Sequence, residues 1–170
     1  MVGTFVVSWY RAFFDLTLFS FGRLQYQVCE FSLNYEDIKA NDLSLNIHIP
    51  RNGQRLEPKL IDESLEQATN FFKDKFKKED LIFRCCSWLL NPCNKTFLNL
   101  NSNIVKFSKR FKIIKTIYEN DYKELWRIFD SEYKNVEDLK DTSSLTHGYI
   151  EMVKNGVKFG ESFGYFKINN

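Results

Sequence analysis

A histidine in a short alternating segment is the first group in this sequence that could do acid–base chemistry. His48 follows Ser44 and Asn46 at every second position of residues 43–49, and leucine or isoleucine occupies the positions between them. This alternation is typical of a strand with one polar face, where the imidazole is expected to lie. A neutral imidazole there could accept a proton from an amine as a general base, although a hydrogen-bonded structural histidine is the commoner role.

Nucleophilic and metal chemistry find less support. Cys86 or Ser87 could act as a nucleophile beside His48, but no third residue that would orient them is identifiable and no nucleophile-elbow sequence surrounds them. Glu30 and Glu36 are alternative bases. The spacing of the cysteines does not match a zinc site, so we predict no metal and reduced thiols that pack as small apolar groups. The sequence contains four of them: Cys29, Cys85, Cys86 and Cys93.

Basic side chains are dense only between residues 106 and 115, where Phe107 and Phe111 interrupt them. Such a cluster could contact a phosphate group or a nucleic-acid backbone, although a solvated face is the usual role. The chain as a whole carries a formal net charge of only +2. This balance gives no global field, and we predict no nucleic-acid partner. The basic residues of the cluster are Lys106, Lys109, Arg110, Lys112 and Lys115.

The strand of His48 lies within a predicted βαβ unit. Residues 22–33 and 43–49 alternate as two strands that should form a hairpin. A loop at residues 51–55 leads to Pro58, which suits the first turn of the amphipathic helix that follows. The next strand spans residues 81–90. Because a helix separates strands 43–49 and 81–90, the two should run parallel and be joined by a right-handed crossover.

The length and composition predict one domain, residues 1–170, of mixed α/β (α+β) class. Residues 1–20 are apolar, but Arg11 and Asp15 interrupt them, which favours a leading helix over a signal peptide or a membrane span. We therefore expect a cytoplasmic protein with no membrane partner. The remaining predicted elements are helices at 8–19, 102–111, 122–129 and 144–154, and strands at 111–118 and 157–168, the last bent or bulged at its glycines.

Several segments, taken in order, are similar to a known family. They are FGRLQY at 21–26, LNIHIP at 45–50, SLEQATNFF at 64–72, CSWLLNP at 86–92, SNIVKF at 102–107 and the tail with Gly160 and Gly164. In this order they resemble the GNAT-like C-terminal domain of bacterial acyltransferase domain-containing proteins. The resemblance covers nearly the whole chain, from about residue 9 to the end.

The resemblance implies a GNAT-like mixed β-sheet with a central βαβ unit and flanking helices. In that fold two parallel strands splay apart, and the pantetheine arm of acetyl-CoA or another acyl-CoA pairs with the exposed backbone of one of them. The loop after that strand, here residues 51–56, cradles the pyrophosphate with the help of the helix N-terminus. The implied coenzyme-binding residues are Ile47, Ile49, Arg51, Gly53, Gln54, Arg55 and Asn103.

The loop departs from the usual family signature of Gln or Arg followed by two spaced small residues. Gly53 is its only glycine, so its two arginines and its glutamine must supply hydrogen-bond donors and charge. Glu57, Asp62 and Glu63 lie near the start of the helix and are expected to interact with its dipole. Asn103 is a candidate N-cap for the helix at 102–111.

The implied activity is acyl-CoA-dependent N-acyl transfer to a small-molecule or peptide amine. His48 would act as the base, and Tyr165, or Tyr118, would protonate the leaving thiolate. Family members carry a separate N-terminal region that builds the acceptor side, so this chain is expected to be the coenzyme-binding half. A homodimer or an N-terminal-domain partner would then complete the site. The alternative is a non-catalytic protein-interaction module, or a homo-oligomerising remnant, of the same fold, whose cleft is filled by side chains such as Trp88 or Phe83.

Overall fold

The computed structural model describes residues 14–119, 121–122 and 125–169. Within these ranges six strands form one mixed sheet in the order β1, β2, β3, β4, β6, β5. The strands are β1 (Leu18–Phe21), β2 (Leu24–Glu30), β3 (Leu43–His48), β4 (Leu81–Ser87), β5 (Lys112–Thr116) and β6 (Ser162–Ile168). The helices are α1 (Pro58–Phe76), α2 (Asn94–Phe97), α3 (Asn103–Ser108), α4 (Trp126–Phe129) and α5 (Ser144–Lys154).

The chain divides into two compact units, and β4 and β6 each contribute residues to both. The first unit comprises Met1–Arg84 with Phe166–Asn170, and the second comprises Cys85–Tyr165. The prediction of a single domain over residues 1–170 stays a prediction. No helix within the described ranges has both the length and the apolar content that crossing a bilayer requires.

The first unit contains the predicted βαβ arrangement. β1, β2 and β3 pair antiparallel in two hairpins, and β4 runs parallel to β3 after the crossover through α1. The mixed α/β class with a central βαβ unit is therefore confirmed.

Helix α1 begins where its sequence indicates. Pro58 occupies the first turn, where a missing N–H costs nothing, and Lys77 ends the helix in the left-handed conformation with φ 52°. The apolar stripe of the helix packs on aromatic rings of the hairpin. The ring of Phe72, for example, meets the rings of Phe19 and Phe21 at 5.3 and 5.9 Å between centroids.

The second unit is organised around the buried ring of Tyr149 on α5. Trp88, Phe97 and Phe159 surround it in edge-to-face contacts, with centroid distances of 6.0, 5.3 and 4.7 Å. A capping box, in which Ser143 and Thr146 bond each other's backbone, begins α5. Local sequence thus sets the start of this helix, and aromatic packing holds its buried face.

Several predicted boundaries were wrong. The predicted helix at 8–19 does not reach its expected end, because Leu16 has φ 53° and β1 starts at Leu18; residues 8–13 lie outside the described residues. The strand predicted from residue 22 begins at Leu24, since Gly22 and Arg23 form the turn between β1 and β2. The strand predicted to residue 90 ends at Ser87, and a 3₁₀ turn follows.

One further boundary and the position of a strand irregularity also differ from the predictions. The predicted helix at 122–129 is shorter among the described residues, where α4 spans Trp126–Phe129; residues 123 and 124 lie outside them. The irregularity predicted for the last strand lies instead in β5, whose register against β6 shifts between Ile113 and Lys115, opposite Gly164.

Candidate functional site

The candidate site begins where the pairing between β3 and β4 stops. Only three pairs join these parallel strands among the described residues, and the last is Asn46 with Arg84. β3 nevertheless continues to His48, whose other neighbour is Gln25 of β2. The backbone at the end of β3 is therefore paired with β2 beyond the point where its ladder with β4 ends.

The loop after β3 is exposed and is closed by its own turn. Residues 51–55 are all exposed. The side-chain oxygen of Asn52 accepts a hydrogen bond from the Gln54 backbone N–H at 3.1 Å, which is an Asx turn. Gly53 lies between them with φ +77°, a conformation that glycine adopts without strain. The loop is thus a preformed turn with side chains and backbone accessible to solvent.

The loop leads directly into the N-terminus of α1, which lacks a side-chain cap. Glu57 is the N-cap residue but makes no capping hydrogen bond, and the first turn contains no acidic residue. Glu57 therefore does not bond the N–H groups, and Asp62 and Glu63 follow the first turn; the interaction of these three side chains with the helix dipole stays a prediction. The positive end of the helix dipole and its N–H groups remain suited to an anion.

Arg23, which the sequence did not single out, holds this loop from the β1–β2 turn. The residue is only 6% exposed. Its Nη1 donates to the Pro50 carbonyl at 3.0 Å, and its Nε donates to the Arg55 carbonyl at 3.3 Å. Burial lowers the pKa of Arg23 from its ordinary value, yet a guanidinium stays protonated at neutral pH. Gly22 beside it is a typical hairpin-turn residue, and that signal could have identified the turn.

His48 lies on the polar face of β3, as predicted, and its Nε2 is engaged by amide side chains. Gln27 Oε1 is 3.0 Å from Nε2, and Asn46 Nδ2 is 3.1 Å from it. Burial, and then the positive charge of Arg84, lower the pKa of His48 below its ordinary value. The ring is therefore neutral at physiological pH. These contacts are those of a hydrogen-bonded histidine, and its role as a base stays a prediction.

The other predicted site residues are divided between the two units. Ile47 has a buried side chain and a backbone paired with Tyr26, and Ile49 follows β3 directly; both belong to the first unit, as do the loop residues. Asn103 and Tyr165 belong to the second unit. Tyr165 is buried in β6.

Asn103 is not the N-cap of α3, so that prediction was wrong. The preceding residue, Ser102, is the cap, and its hydroxyl accepts a hydrogen bond from the Val105 N–H at 3.3 Å. Asn103 is consequently the first residue of the helix itself. Its predicted contact with the coenzyme is a separate matter and stays a prediction.

The cysteines and Ser87 have contacts of their own. The four cysteines are free thiols. As expected for adjacent strand residues, Cys85 is buried and Cys86 is exposed. Burial raises the pKa of Cys85 well above its ordinary value, and it raises that of Cys93 to about 11. The Ser87 hydroxyl accepts from the Leu89 N–H at 3.2 Å and so caps the 3₁₀ turn, a structural use.

The basic cluster of residues 106–115 resembles a solvated face. Lys106, Lys109, Lys112 and Lys115 are exposed. Phe107 and Phe111, however, are buried and pack on each other with ring centroids 5.2 Å apart. Buried rings are not available to stack on bases, and stacking is what aromatic residues contribute to nucleic-acid surfaces.

Three structures of acyltransferases resemble this chain over nearly its whole length. Each is 25% identical to it with a TM-score of 0.82, and each match covers 99% of this chain and 52% of the other. One is an acyltransferase in complex with decanoyl-CoA and teicoplanin, another is in complex with CoA and 10C-teicoplanin, and the third is a mutant in complex with octanoyl-CoA. The chain thus spans about half the length of these proteins.

No curated protein sequence matches the chain. A family model does match: the model of the GNAT-like C-terminal domain covers residues 18–166. That range contains β1 to β5, the part of β6 up to Phe166, α1 and the loop that precedes it. The chain belongs to the family of GNAT-like C-terminal domains.

Proposed function

We propose that this chain binds an acyl-CoA at the end of β3 and is the coenzyme-binding half of an N-acyltransferase. The observation that carries the proposal is the continuity of three features along residues 46–58. The ladder between the parallel strands ends at Asn46, an exposed turn with a glycine at φ +77° follows, and an uncapped helix N-terminus comes next. Together they provide backbone donors and positive potential for a phosphorylated ligand.

Each part of the site has a distinct role in this proposal. The backbone at Ile47 and Ile49 pairs with the pantetheine amides. The loop N–H groups and the start of α1 bind the pyrophosphate, and the exposed Arg51 and Arg55 add charge.

Acyl-CoA supplies an activated thioester, and the side chains of the protein handle the protons. His48 accepts a proton from the attacking amine, which requires the neutral imidazole that its lowered pKa favours. The leaving thiolate is protonated as CoA departs. Acetyl-CoA or a longer acyl-CoA is the donor; decanoyl-CoA and octanoyl-CoA are the donors present in the similar structures.

A small-molecule or peptide amine is the proposed acceptor, and teicoplanin is present with one of the similar acyltransferases. The match covers 52% of those proteins, and we propose that the acceptor side is built outside the matched region, by an adjoining segment, a separate polypeptide or a second copy of this chain. On this proposal the chain alone binds coenzyme but transfers acyl groups slowly.

Calorimetric titration with CoA, acetyl-CoA and decanoyl-CoA tests coenzyme binding. We expect micromolar dissociation constants, and we expect the double variant Arg51→Gln, Arg55→Gln to bind at least about tenfold more weakly through lost phosphate contacts. The matched control is Lys134→Gln, Lys140→Gln, which removes two exposed charges far along the chain from the loop and should leave the affinity unchanged.

The same titration separates the proposal from the interaction-module alternative. Silence of the wild-type chain at millimolar ligand would contradict coenzyme binding and favour a non-catalytic module. Phe83, one of the side chains expected to fill the cleft of such a module, is buried and stacks on Phe166 at 5.2 Å. Release of CoA thiol in the presence of amines measures turnover. Rapid acyl transfer by the chain alone would contradict the proposal that it is only the coenzyme-binding half of the enzyme.

A further inference from the structure

Arg23 joins two points of the chain that bracket the candidate pyrophosphate loop. Its guanidinium donates to the carbonyl of Pro50, just before the loop, and to that of Arg55, near the end of the loop. All three residues belong to the first unit. One rigid planar group thus fixes the separation of the two ends of a short exposed segment.

The position of Arg23 is itself fixed by a buried serine of α1. The Ser64 hydroxyl accepts from the Leu24 N–H at 3.2 Å, lies 2.9 Å from the Tyr26 hydroxyl and donates to the Phe21 carbonyl. These contacts tie both sides of the β1–β2 turn to the helix that the loop enters. The guanidinium is therefore held in place relative to the start of α1.

The charge of Arg23 is not neutralised by these contacts. Both of its partners are carbonyl oxygens, and within residues 14–119, 121–122 and 125–169 no carboxylate forms an ion pair with it. A buried charge normally has a counter-charge, because desolvation without one is costly. A guanidinium only 6% exposed, bonded to the two ends of the loop, therefore favours a bound anion there.

We propose that Arg23 is a positioning residue that holds residues 51–54 in their anion-binding conformation and adds buried positive charge to the site. The inference rests on the proposed coenzyme binding and names the part of the ligand that Arg23 serves, the pyrophosphate. Arg23 acts through the loop. Its loss should consequently weaken ligands that carry the pyrophosphate and leave those without it unaffected.

The test compares CoA with pantetheine, which lacks the pyrophosphate and the nucleotide. In Arg23→Gln the dissociation constant for CoA should rise at least about tenfold, while that for pantetheine, followed by NMR shifts, stays within about twofold. Arg23→Lys keeps the charge but cannot reproduce the fork, so its loss for CoA should be intermediate. Amide exchange of residues 52–57 should accelerate in both variants. A merely structural role would not change the ratio of the two affinities.

Controls keep the outcomes distinct. Arg127→Gln removes an exposed charge from the second unit and should retain the affinity for both ligands. Thermal unfolding reports whether Arg23→Gln is folded, and if it is not, Arg23→Lys alone carries the comparison. A folded Arg23 variant with an unchanged ratio of affinities overturns the inference but leaves the proposed function standing. A wild-type chain that does not bind CoA overturns both.

Discussion

Buried polar side chains have different partners in the two units. In the first unit Arg23 bonds the ends of an exposed loop and Ser64 bonds a hairpin turn. In the second unit Asn94 and Tyr149 bond each other inside the core. Tyr149 donates to Asn94 Oδ1 at 2.8 Å, and Asn94 Nδ2 donates to the Trp88 carbonyl at 2.9 Å. In the second unit the polar groups satisfy one another and stabilise the fold. In the first unit they also set the shape of a surface segment, which is where a ligand can bind.

The largest expected effect is in the core of the second unit. Asn94→Ala removes the acceptor of the buried Tyr149 hydroxyl and one of the two donors to the Trp88 carbonyl, so the free energy of unfolding should fall by about 3 kcal/mol. Urea denaturation followed by tryptophan fluorescence measures it. Asn101→Ala, at an exposed site, is the matched control and should change stability by less than about 0.5 kcal/mol. Equal losses in the two variants would contradict the stabilising role of Asn94 in the core of the second unit.

The second effect concerns Ser64 in the first unit. Ser64→Ala removes the hydroxyl that bonds the Leu24 N–H, the Phe21 carbonyl and the Tyr26 hydroxyl, and should cost about 2 kcal/mol in unfolding free energy. Ser108→Ala is a stringent control, because the hydroxyl of that buried serine donates only to the Val105 carbonyl of its own helix. The free energy of unfolding should fall by less than about 1 kcal/mol in this variant. A larger loss for Ser108→Ala would refute the role given to Ser64.

Two exposed glycines separate backbone strain from ligand binding. Gly53 and Gly156 have φ +77° and +65°, and a Cβ at either would meet no atom within 4 Å. Alanine at each should therefore cost about 1 kcal/mol of stability through strain alone. Only Gly53→Ala should also weaken CoA binding in calorimetry, because only Gly53 lies in the loop. Equal CoA affinities in the two variants would argue against a contribution of the loop.

The smallest effect is a pH dependence centred on His48. Its pKa is lower in the folded state than in the unfolded state, so the unfolded state binds more protons as the pH falls below about 6.5, the ordinary pKa. Stability should accordingly be complete above that pH, fall on acidification, and level off below the folded-state pKa. Denaturation measured at pH 7 and at pH 5 should show that the free energy of unfolding falls less in His48→Gln than in wild type. His147→Gln changes the only other histidine and is the control. Its free energy of unfolding should still show the decrease on acidification that His48 causes.

The elements around the site were predictable where local sequence determines them. Alternation over residues 43–49 and the proline at the start of α1 correctly indicated a strand, a loop and a helix. The parallel direction of β4 followed from the helix between the strands. Each of these inferences used residues close together along the chain.

The contacts that shape the loop were not predictable in the same way. Arg23 meets the Pro50 carbonyl across 27 positions of the chain, and Ser64 meets the Phe21 carbonyl across 43. In the sequence Arg23 is one residue of the alternating run 22–33, and Ser64 is one residue of the amphipathic helix that follows Pro58. Neither pattern discloses a partner so distant in sequence, and the cap of α3 was placed one residue late because serine and asparagine are both good caps.

The bonds from Arg23 to carbonyls at residues 50 and 55 have a consequence for how this protein can change. Main-chain oxygens are present whatever side chain a position carries, so most replacements at residues 51–54 leave both anchor points intact. Sequence drift in that short stretch should therefore alter which ligand is preferred while the neighbouring strand and helix keep their places. Directed libraries confined to those four positions would exploit that separation.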